Sequence, residues 1–328
     1  MKIDLTVIVA VHNEEAALPA LLNSLRPDPS DEIFFVLDRC TDHSGTLIQE
    51  WKTPAKKRVI SLSENPWVQA PKKFAILTGI QAAANEHLLF TDADCVVPSD
   101  WMDLYRQVFP AADVIIGFSL PVSETGSGIL TSIQRADALI TAVTYRTMTA
   151  AGLPYMSVGR NWGFRKSIFQ SNYLTSHQSV RSGDDDLLFQ KLIAQPGIRL
   201  QMLQNHQVST RTIGSWPALL RQKTRHFQAG IRYPWSMKLI LPLVFSWIYV
   251  VLGLIVTSIV LGSSVLGWTS LVGYAAIHAL WMRRCRSLEQ TLTKSVTPVI
   301  RIWLSTGLVF FLYPLISVFS HFFKSRWK

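Results

Sequence analysis

Leu88-Leu89-Phe90-Thr91-Asp92-Ala93-Asp94-Cys95 is the stretch that decides how this chain folds. A short apolar run ends in two carboxylates one residue apart. Aspartates are poor strand formers and costly to bury unpaired, so strand character stops where they begin. If the run is a buried parallel strand, the pair stands at its carboxyl end, where open α/β sheets hold ligands. Two carboxylates at that spacing can bind a hard divalent cation, which in turn can hold a diphosphate. The same residues alone also describe a solvated Asp-rich turn. The flanking sequence has to choose.

Outward from this stretch, short β-rich runs alternate with helical ones. Leu5 to Val11 is expected to be a buried strand, and Glu14 to Leu25 a helix, with Leu18, Leu21, Leu22 and Leu25 at helical spacing. Ile33 to Leu37 predicts a second strand ending at Asp38. Cys40 to Trp51 predicts a helix, Arg58 to Leu62 a strand, Lys72 to Asn85 a helix and His87 to Phe90 the strand before the acidic pair. Alternation at this spacing argues for an α/β fold, a mostly parallel sheet with helices on both faces. No G-x-G-x-x-G follows the first strand and no Walker A sequence occurs, so ordinary dinucleotide-binding and P-loop folds lose their support.

The last third has different physics. Of the 328 residues only 16% are charged against 48% hydrophobic, too apolar a balance for an ordinary soluble enzyme. Leu239 to Leu261 carries no charge over the ~20 residues that a bilayer span needs. Val265 to Met282 is a second apolar run, followed by Arg283-Arg284-Cys285-Arg286, and Thr297 to Phe323 is a third, interrupted by Arg301 and Pro314. The expected organisation is a cytoplasmic domain over 1–235 and a membrane region over 236–328 with two to three transmembrane or re-entrant helices. With two spans the Arg283 cluster obeys the positive-inside rule. A full third span would put Lys324, Arg326 and Lys328 on the wrong side, so a re-entrant or interfacial third segment broken at Pro314 stays open.

The net charge of +10 collects beside these apolar segments, from Arg221 to Arg232, at Arg283 to Arg286 and from Lys324 to Lys328. Anionic lipid headgroups and an anionic substrate fit that placement better than nucleic acid does. Cys40, Cys95 and Cys285 are far apart and odd in number, which builds no disulfide framework and implies a reducing compartment. The N-terminus shows no signal-peptide h-region. The expected location is therefore the inner (cytoplasmic) membrane of a cell, multi-pass, with the catalytic domain cytoplasmic.

Several motifs in order make the pattern specific. Val7-Ile8-Val9-Ala10-Val11-His12-Asn13-Glu14-Glu15 opens it; Val36-Leu37-Asp38-Arg39-Cys40-Thr41-Asp42 follows, then Pro71-Lys72-Lys73 with Gly79-Ile80, then Asp92-Ala93-Asp94, then Ser182-Gly183-Asp184-Asp185-Asp186. Together they resemble the family 2 glycosyltransferases of GT-A fold, in membrane-anchored bacterial form. Departures are Leu37 for an aspartate and Pro71 for a glycine. Gln222-Lys223-Thr224-Arg225-His226 resembles the Q-x-x-R-W box of membrane-bound members, with His226 for tryptophan. That replacement weakens a processive reading.

The resemblance implies residue roles. Asn13, Glu14, Asp38, Lys72 and Asp92 would bind the donor nucleotide, with Asp38 accepting a hydrogen bond from a base N–H. Asp94, with Asp92, would hold Mg²⁺ or Mn²⁺. Asp185, or its neighbour Asp184, would take the proton from the acceptor hydroxyl. Gln222, Arg225, His226 and Asn161, the last within Gly159-Arg160-Asn161, would serve the diphosphate and acceptor side. The expected activity is inverting transfer of a sugar from a nucleotide donor to a lipid or lipid-linked acceptor in cell-envelope glycan or glycolipid synthesis.

Blander roles compete at several positions. Asp38 or Thr41 could cap a helix, Lys72 could be a solvated helix residue, and the Asp184–Asp186 triplet could be a helix N-terminus. His206 could add a metal ligand or be structural. Ile129 to Ala150 predicts an amphipathic helix, packed on the sheet or lying in the membrane interface. The rival functions are a nucleotidyltransferase, which would need a Gly-rich phosphate loop that His12-Asn13-Glu14-Glu15 does not supply, and a non-enzymatic membrane scaffold.

Overall fold

The computed structural model describes residues 3–123, 128–180, 182–293 and 296–320. In chain order the first elements are β1 (Leu5–Val11), α1 (Leu18–Ser24), β2 (Glu32–Asp38), α2 (Ser44–Glu50), β3 (Lys56–Leu62), α3 (Pro71–Ala82), β4 (His87–Phe90), β5 (Cys95–Val96) and α4 (Trp101–Val108). There follow β6 (Val114–Val122), α5 (Ile129–Ala150), β7 (Trp162–Arg165), α6 (Asn172–Thr175), α7 (Asp186–Ile193) and β8 (Leu200–Arg211). Four long helices close the described chain: α8 (Trp216–Gly230), α9 (Trp235–Val260), α10 (Ser264–Leu292) and α11 (Val299–Ser320).

Two compact units result: Met1–Leu120 with Thr149–Arg211, and Pro121–Met148 with Thr212–Lys328. Membership by compactness thus adds α5 and α8 to the three apolar helices. The first unit carries one eight-stranded sheet in the order β3-β2-β1-β4-β7-β6-β8-β5. Strands β3, β2, β1 and β4 are parallel, whereas β7 runs antiparallel to both β4 and β6, and β5 is antiparallel to β8. The parallel half is what continuous runs such as Ile33-Phe34-Phe35-Val36-Leu37 specify, since a strand covered on both faces needs no polar alternation.

The amino ends of these strands are clamped by buried charge. Asp31 accepts from the Leu5 N–H at 3.0 Å and pairs with Arg106, while Glu32 accepts from Thr6 Oγ1 at 3.0 Å and Arg58 Nη1 at 3.1 Å. The carboxyl ends are left for the loops. Helix α3 packs closely on β1 because residue 79 is glycine: a Cβ there would lie 2.6 Å from Ile8 Cγ2.

Two helices start later than the periodicity predicts. Residues 14–17 form a turn, with the Leu18 N–H bonded to Glu14 O at 2.8 Å, and α2 begins only at Ser44. Asp42, rather than Asp38 or Thr41, receives the Ser44 N–H at 3.0 Å. The side-chain bonds of this loop compete successfully with helix formation.

In the second unit, α9, α10 and residues Val299–Val318 are long and apolar enough to cross a membrane. Pro314, one alternative site for a break in this segment, sits inside a continuous α11. Thr297, just before α11, bonds Glu289 near the end of α10; Thr306 and Trp303 meet His278; Tyr313 packs on Phe245 of α9 and Phe227 of α8. Lys324, Arg326 and Lys328, on which the orientation of this segment turned, lie outside the described residues. Helix α5, expected to pack on the sheet, has its polar ties inside the helical unit, where Arg135 pairs with Glu289 and Asp137 with Lys223.

Candidate active site

The acidic pair leaves the carboxyl end of β4 as the parallel-strand reading requires. Thr91, Ala93 and Cys95 turn inward and are buried, and the alternate residues Asp92 and Asp94 keep partial access to solvent. Asp94 accepts a long bond from Thr210 Oγ1 at 3.4 Å, and Cys95 Sγ lies 3.6 Å from Asp94 Oδ1. Ligand atoms of Asp92, Asp94 and Cys95 lie within 4.8 Å of one another. The two carboxylates suit a hard divalent cation, which can complete its shell with water and phosphate oxygens. The thiol does not: burial, then the charges of Asp94 and Asp92, push Cys95 well up and keep it protonated. The donor set therefore fits Mg²⁺ or Mn²⁺ through Asp92 and Asp94.

Two cations converge on Asp92. Lys72, from the first turn of α3, places its Nζ 2.8 Å from Asp92 Oδ1 and 3.0 Å from Asp184 Oδ2. Arg160 Nε lies 3.7 Å from Asp92 Oδ2. Burial raises Asp92, but Lys72 and then Arg160 outweigh it and hold the carboxyl below its usual range. Burial also works against the Lys72 ammonium, and the Asp184 and Asp92 charges more than offset it. Lys72 is thus no solvated helix residue. It joins the strand-end carboxylates to the triplet some ninety positions later.

Within that triplet Asp185 caps α7. Its Oδ1 accepts the Asp186 N–H at 2.8 Å and its Oδ2 the Gly159 N–H at 2.7 Å. Gly183 turns the chain into the helix at φ +81°. The helix-terminus role and a chemical role coexist here. Burial, then the Asp184 charge, push the Asp185 carboxyl up to about 6, against the opposing pull of Lys72 and the two N–H bonds. A carboxylate poised there is ionised at neutral pH and basic enough to accept a proton in a transition state.

Gly159 is needed for that placement, because a Cβ on it would stand 2.8 Å from Asp185 Oδ2. Gly159→Ala is expected to displace the carboxylate and lower kcat/KM by about 10²-fold, as a misplacement near 1 Å does. The thermal midpoint should change little. An alanine variant with wild-type kinetics would show that Asp185 tolerates the shift.

Beside β1, the Asp38 carboxylate closes β2 and is held by its neighbours. Arg39 Nε and Nη2 reach its two oxygens at 3.0 Å each, and Asn65 Nδ2 reaches Oδ1 at 2.9 Å. Arg39 has φ +50°, a strained conformation for a side chain with a Cβ, and such outliers concentrate at ligand sites. Asn13, at φ +54°, accepts the Thr41 N–H at 2.8 Å and so splices the first loop to the second. The Glu14 N–H bonds Ser44 Oγ at 3.0 Å, and His12 Nδ1 lies 2.6 Å from Asp38 O.

One expectation needs correction. Asn161 is fully buried: its Oδ1 accepts from Trp101 Nε1 at 2.9 Å and Tyr105 OH at 3.0 Å, and its Nδ2 donates to Phe118 O at 2.7 Å. Its amide is consumed by the core and is not offered to an acceptor. His206 sits 2.7 Å from Asp100 Oδ2, and the acidic cluster with metal-ligand geometry does not include it. Gln222, Arg225 and His226 lie on α8 in the helical unit, where Lys223 turns inward to Asp137 while His226 is exposed. Gly159, Arg160 and Asn65 were not singled out by sequence for the contacts they make; only the Gly159-Arg160-Asn161 run hinted at the first two.

The mixed, mostly parallel sheet, with an acidic pair after β4 and a poised carboxylate at α7, has the GT-A fold. The model of the family described as "Glycosyl transferase family 2" matches residues 6–172, half of the chain, and the protein belongs to that family and is a glycosyltransferase. No curated protein matches the sequence. Among solved structures, residues 1–349 of TarS from S. aureus share 14% identity, with 98% of this chain and 91% of that one covered at a TM-score of 0.46. The mannosyltransferase PcManGT from Pyrobaculum calidifontis, in complex with GDP-Man and Mn²⁺, shares 17% identity over 97% of this chain and 83% of its own, at 0.49. Glucosyl-3-phosphoglycerate synthase from Mycobacterium tuberculosis, with Mn²⁺, UDP and phosphoglyceric acid, shares 14% over 70% and 76%, at 0.43.

Proposed function

We propose that the protein is an inverting, metal-dependent glycosyltransferase that acts at the cytoplasmic face of a membrane on a lipid or lipid-linked acceptor in cell-envelope glycan or glycolipid synthesis. The observation that carries the reading is the Lys72 bridge. One ammonium within 3.0 Å of both Asp92 and Asp184 brings a cation-binding carboxylate pair and a proton-accepting one into the same site. Transfer is then one in-line displacement. The acceptor oxygen bonds the anomeric carbon, its proton passes to Asp185, and the electron pair of the breaking bond leaves on the diphosphate. A divalent cation at Asp92 and Asp94 would supply charge neutralisation of that leaving group. Asp38 and the Asn13–Glu14 turn hold the nucleotide end, and positioning supplies much of the rate.

Chain organisation supports the acceptor class. Gln222, Arg225 and His226 lie nine to thirteen residues before the first of three helices long enough to span a bilayer. Residues 1–235 are assigned to the cytoplasmic side and 236–328 to the membrane. A planar guanidinium such as Arg225 suits a phosphate of the product or a lipid carrier.

The test is a thermal-shift screen of nucleotide sugars with Mn²⁺ or with EDTA. One donor should raise the unfolding midpoint clearly more with Mn²⁺ than with EDTA, by mass-action stabilisation of about 2.7 kcal/mol at a hundredfold excess over Kd. Stabilisation by no donor, or equally in EDTA, would overturn the donor-and-metal assignment. With the donor known, transfer to polyprenyl phosphate in detergent should exceed transfer to soluble sugars; equal rates would remove the lipid acceptor.

A further inference from the structure

Arg160 is the one group in the site to which neither the family resemblance nor the proposed chemistry has given a task. It lies two residues before β7, directly after the glycine whose N–H holds Asp185. Its side chain is only 25% exposed, and its Nε, buried and 3.7 Å from Asp92 Oδ2, makes no hydrogen bond among the described residues. Burial alone would weaken this cation. A guanidinium nevertheless keeps its proton at any physiological pH, and the Asp92 carboxylate stands 3.7 Å from its Nε. A permanently charged fork is therefore kept beside the cation-binding carboxylates with a buried N–H unused.

A guanidinium held only for structure would be expected to use its donors, since an unsatisfied buried N–H costs free energy. Asn161, the next residue, engages both ends of its amide, the Oδ1 accepting twice and the Nδ2 donating to Phe118 O. The contrast within two adjacent positions is informative. Asp92 also cannot serve Lys72, Arg160 and a divalent cation equally well. When the cation takes Asp92, charge balance frees Arg160 to meet a second anion, and the anion that arrives with the cation is the donor diphosphate.

We propose that Arg160 is a further catalytic residue, binding the diphosphate oxygens of the nucleotide donor and stabilising their charge as the sugar leaves. This rests on the glycosyltransferase reading above and adds to it a protein cation for the leaving group. The anomeric C–O bond breaks with its electron pair going to the diphosphate, which Arg160 meets with paired N–H donors. The acceptor proton still goes to Asp185.

The test compares binding of UDP, GDP and the matching nucleoside monophosphates to the full-length protein in detergent, by calorimetry, with Mn²⁺ and with EDTA. Wild type should prefer diphosphate over monophosphate in both conditions, since part of the preference comes from protein cations. Arg160→Met should lose at least about tenfold of that preference in EDTA, leave the monophosphate affinity within about twofold, and lower kcat by about 10²-fold, the loss typical of one transition-state donor. Arg160→Lys, which keeps the charge and loses the fork, should fall between and guards against a misfolded methionine variant. Diphosphate preference unchanged in Arg160→Met overturns the inference while the glycosyltransferase reading stands. Wild-type protein that takes no nucleoside diphosphate overturns both.

Discussion

Asp185→Asn should lower kcat by about 10³-fold, within the range that removal of a general base produces, while leaving nucleotide affinity nearly unchanged. In the wild type, log kcat/KM should rise with pH and level off through a limb near 6, because Asp185 must be ionised to accept the proton and its carboxyl is pushed up to about 6. The asparagine variant should lack that limb. Linkage makes a second demand. The folded value lies above the 3.8 of the unfolded chain, so the folded state binds this proton more tightly. The resulting stability is present below about 4 and is lost as pH rises through about 6. Above that, ionised Asp185 costs the fold up to about 3 kcal/mol at 1.36 per unit, less where water still reaches this half-buried group. Asp185→Asn should accordingly unfold at a higher temperature than wild type at pH 8, with the gap closing at pH 5. A variant that loses activity and is also less stable at pH 8 would make Asp185 a structural cap only.

The two carboxylates of the cation pair should separate in the same experiment. Asp94→Asn and Asp92→Asn are each expected to lower kcat/KM by at least about 10²-fold, since each removes half of the proposed hard-cation ligand set, and to abolish Mn²⁺-dependent stabilisation by the donor. Their stabilities should differ. Asp94 has only a 3.4 Å bond from Thr210 and the Cys95 thiol to lose, so Asp94→Asn should fold as well as wild type. Asp92 neutralises Lys72 and faces Arg160. Removing it strands two partly buried cations, and breaking a buried pair costs about 3–5 kcal/mol in the limit. Asp184 still serves Lys72 at 3.0 Å, so the loss in Asp92→Asn should be smaller, yet plainly visible as a lower midpoint at pH 7.5. Equal midpoints for the two variants would show that Lys72 is not held by Asp92 in solution.

Much of the parallel half of the sheet was legible because local pattern and tertiary environment agree there. Apolar runs at Leu5–Val11 and Glu32–Asp38 can be satisfied only by burial on both faces, and the second ends in a carboxylate. The antiparallel half was not legible. β7 is four residues long, and β8 alternates burial irregularly over Leu200–Arg211, so neither presents a clean period. Helix starts at residues 14 and 40 were misread because Asn13, Glu14, Glu15 and Asp42 spend their hydrogen bonds across the two loops, a competition between segments that are distant in sequence.

By itself, the sequence determined which residues are chemically capable: carboxylates at 92, 94, 184 and 185, a lysine at 72, and apolar stretches long enough for a bilayer. Only the tertiary structure decided their partners. It carried Lys72 between Asp92 and Asp184, set the Gly159 N–H on Asp185, withdrew Asn161 into the core and left Arg160 with a buried donor to spare. The physical reason is range. Hydrophobic period and strand-ending charge act over a few residues and can be read along the chain. The environment that moves a carboxyl to about 6, or keeps a guanidinium waiting, is built by groups up to 113 positions apart, as Lys72 and Asp185 are.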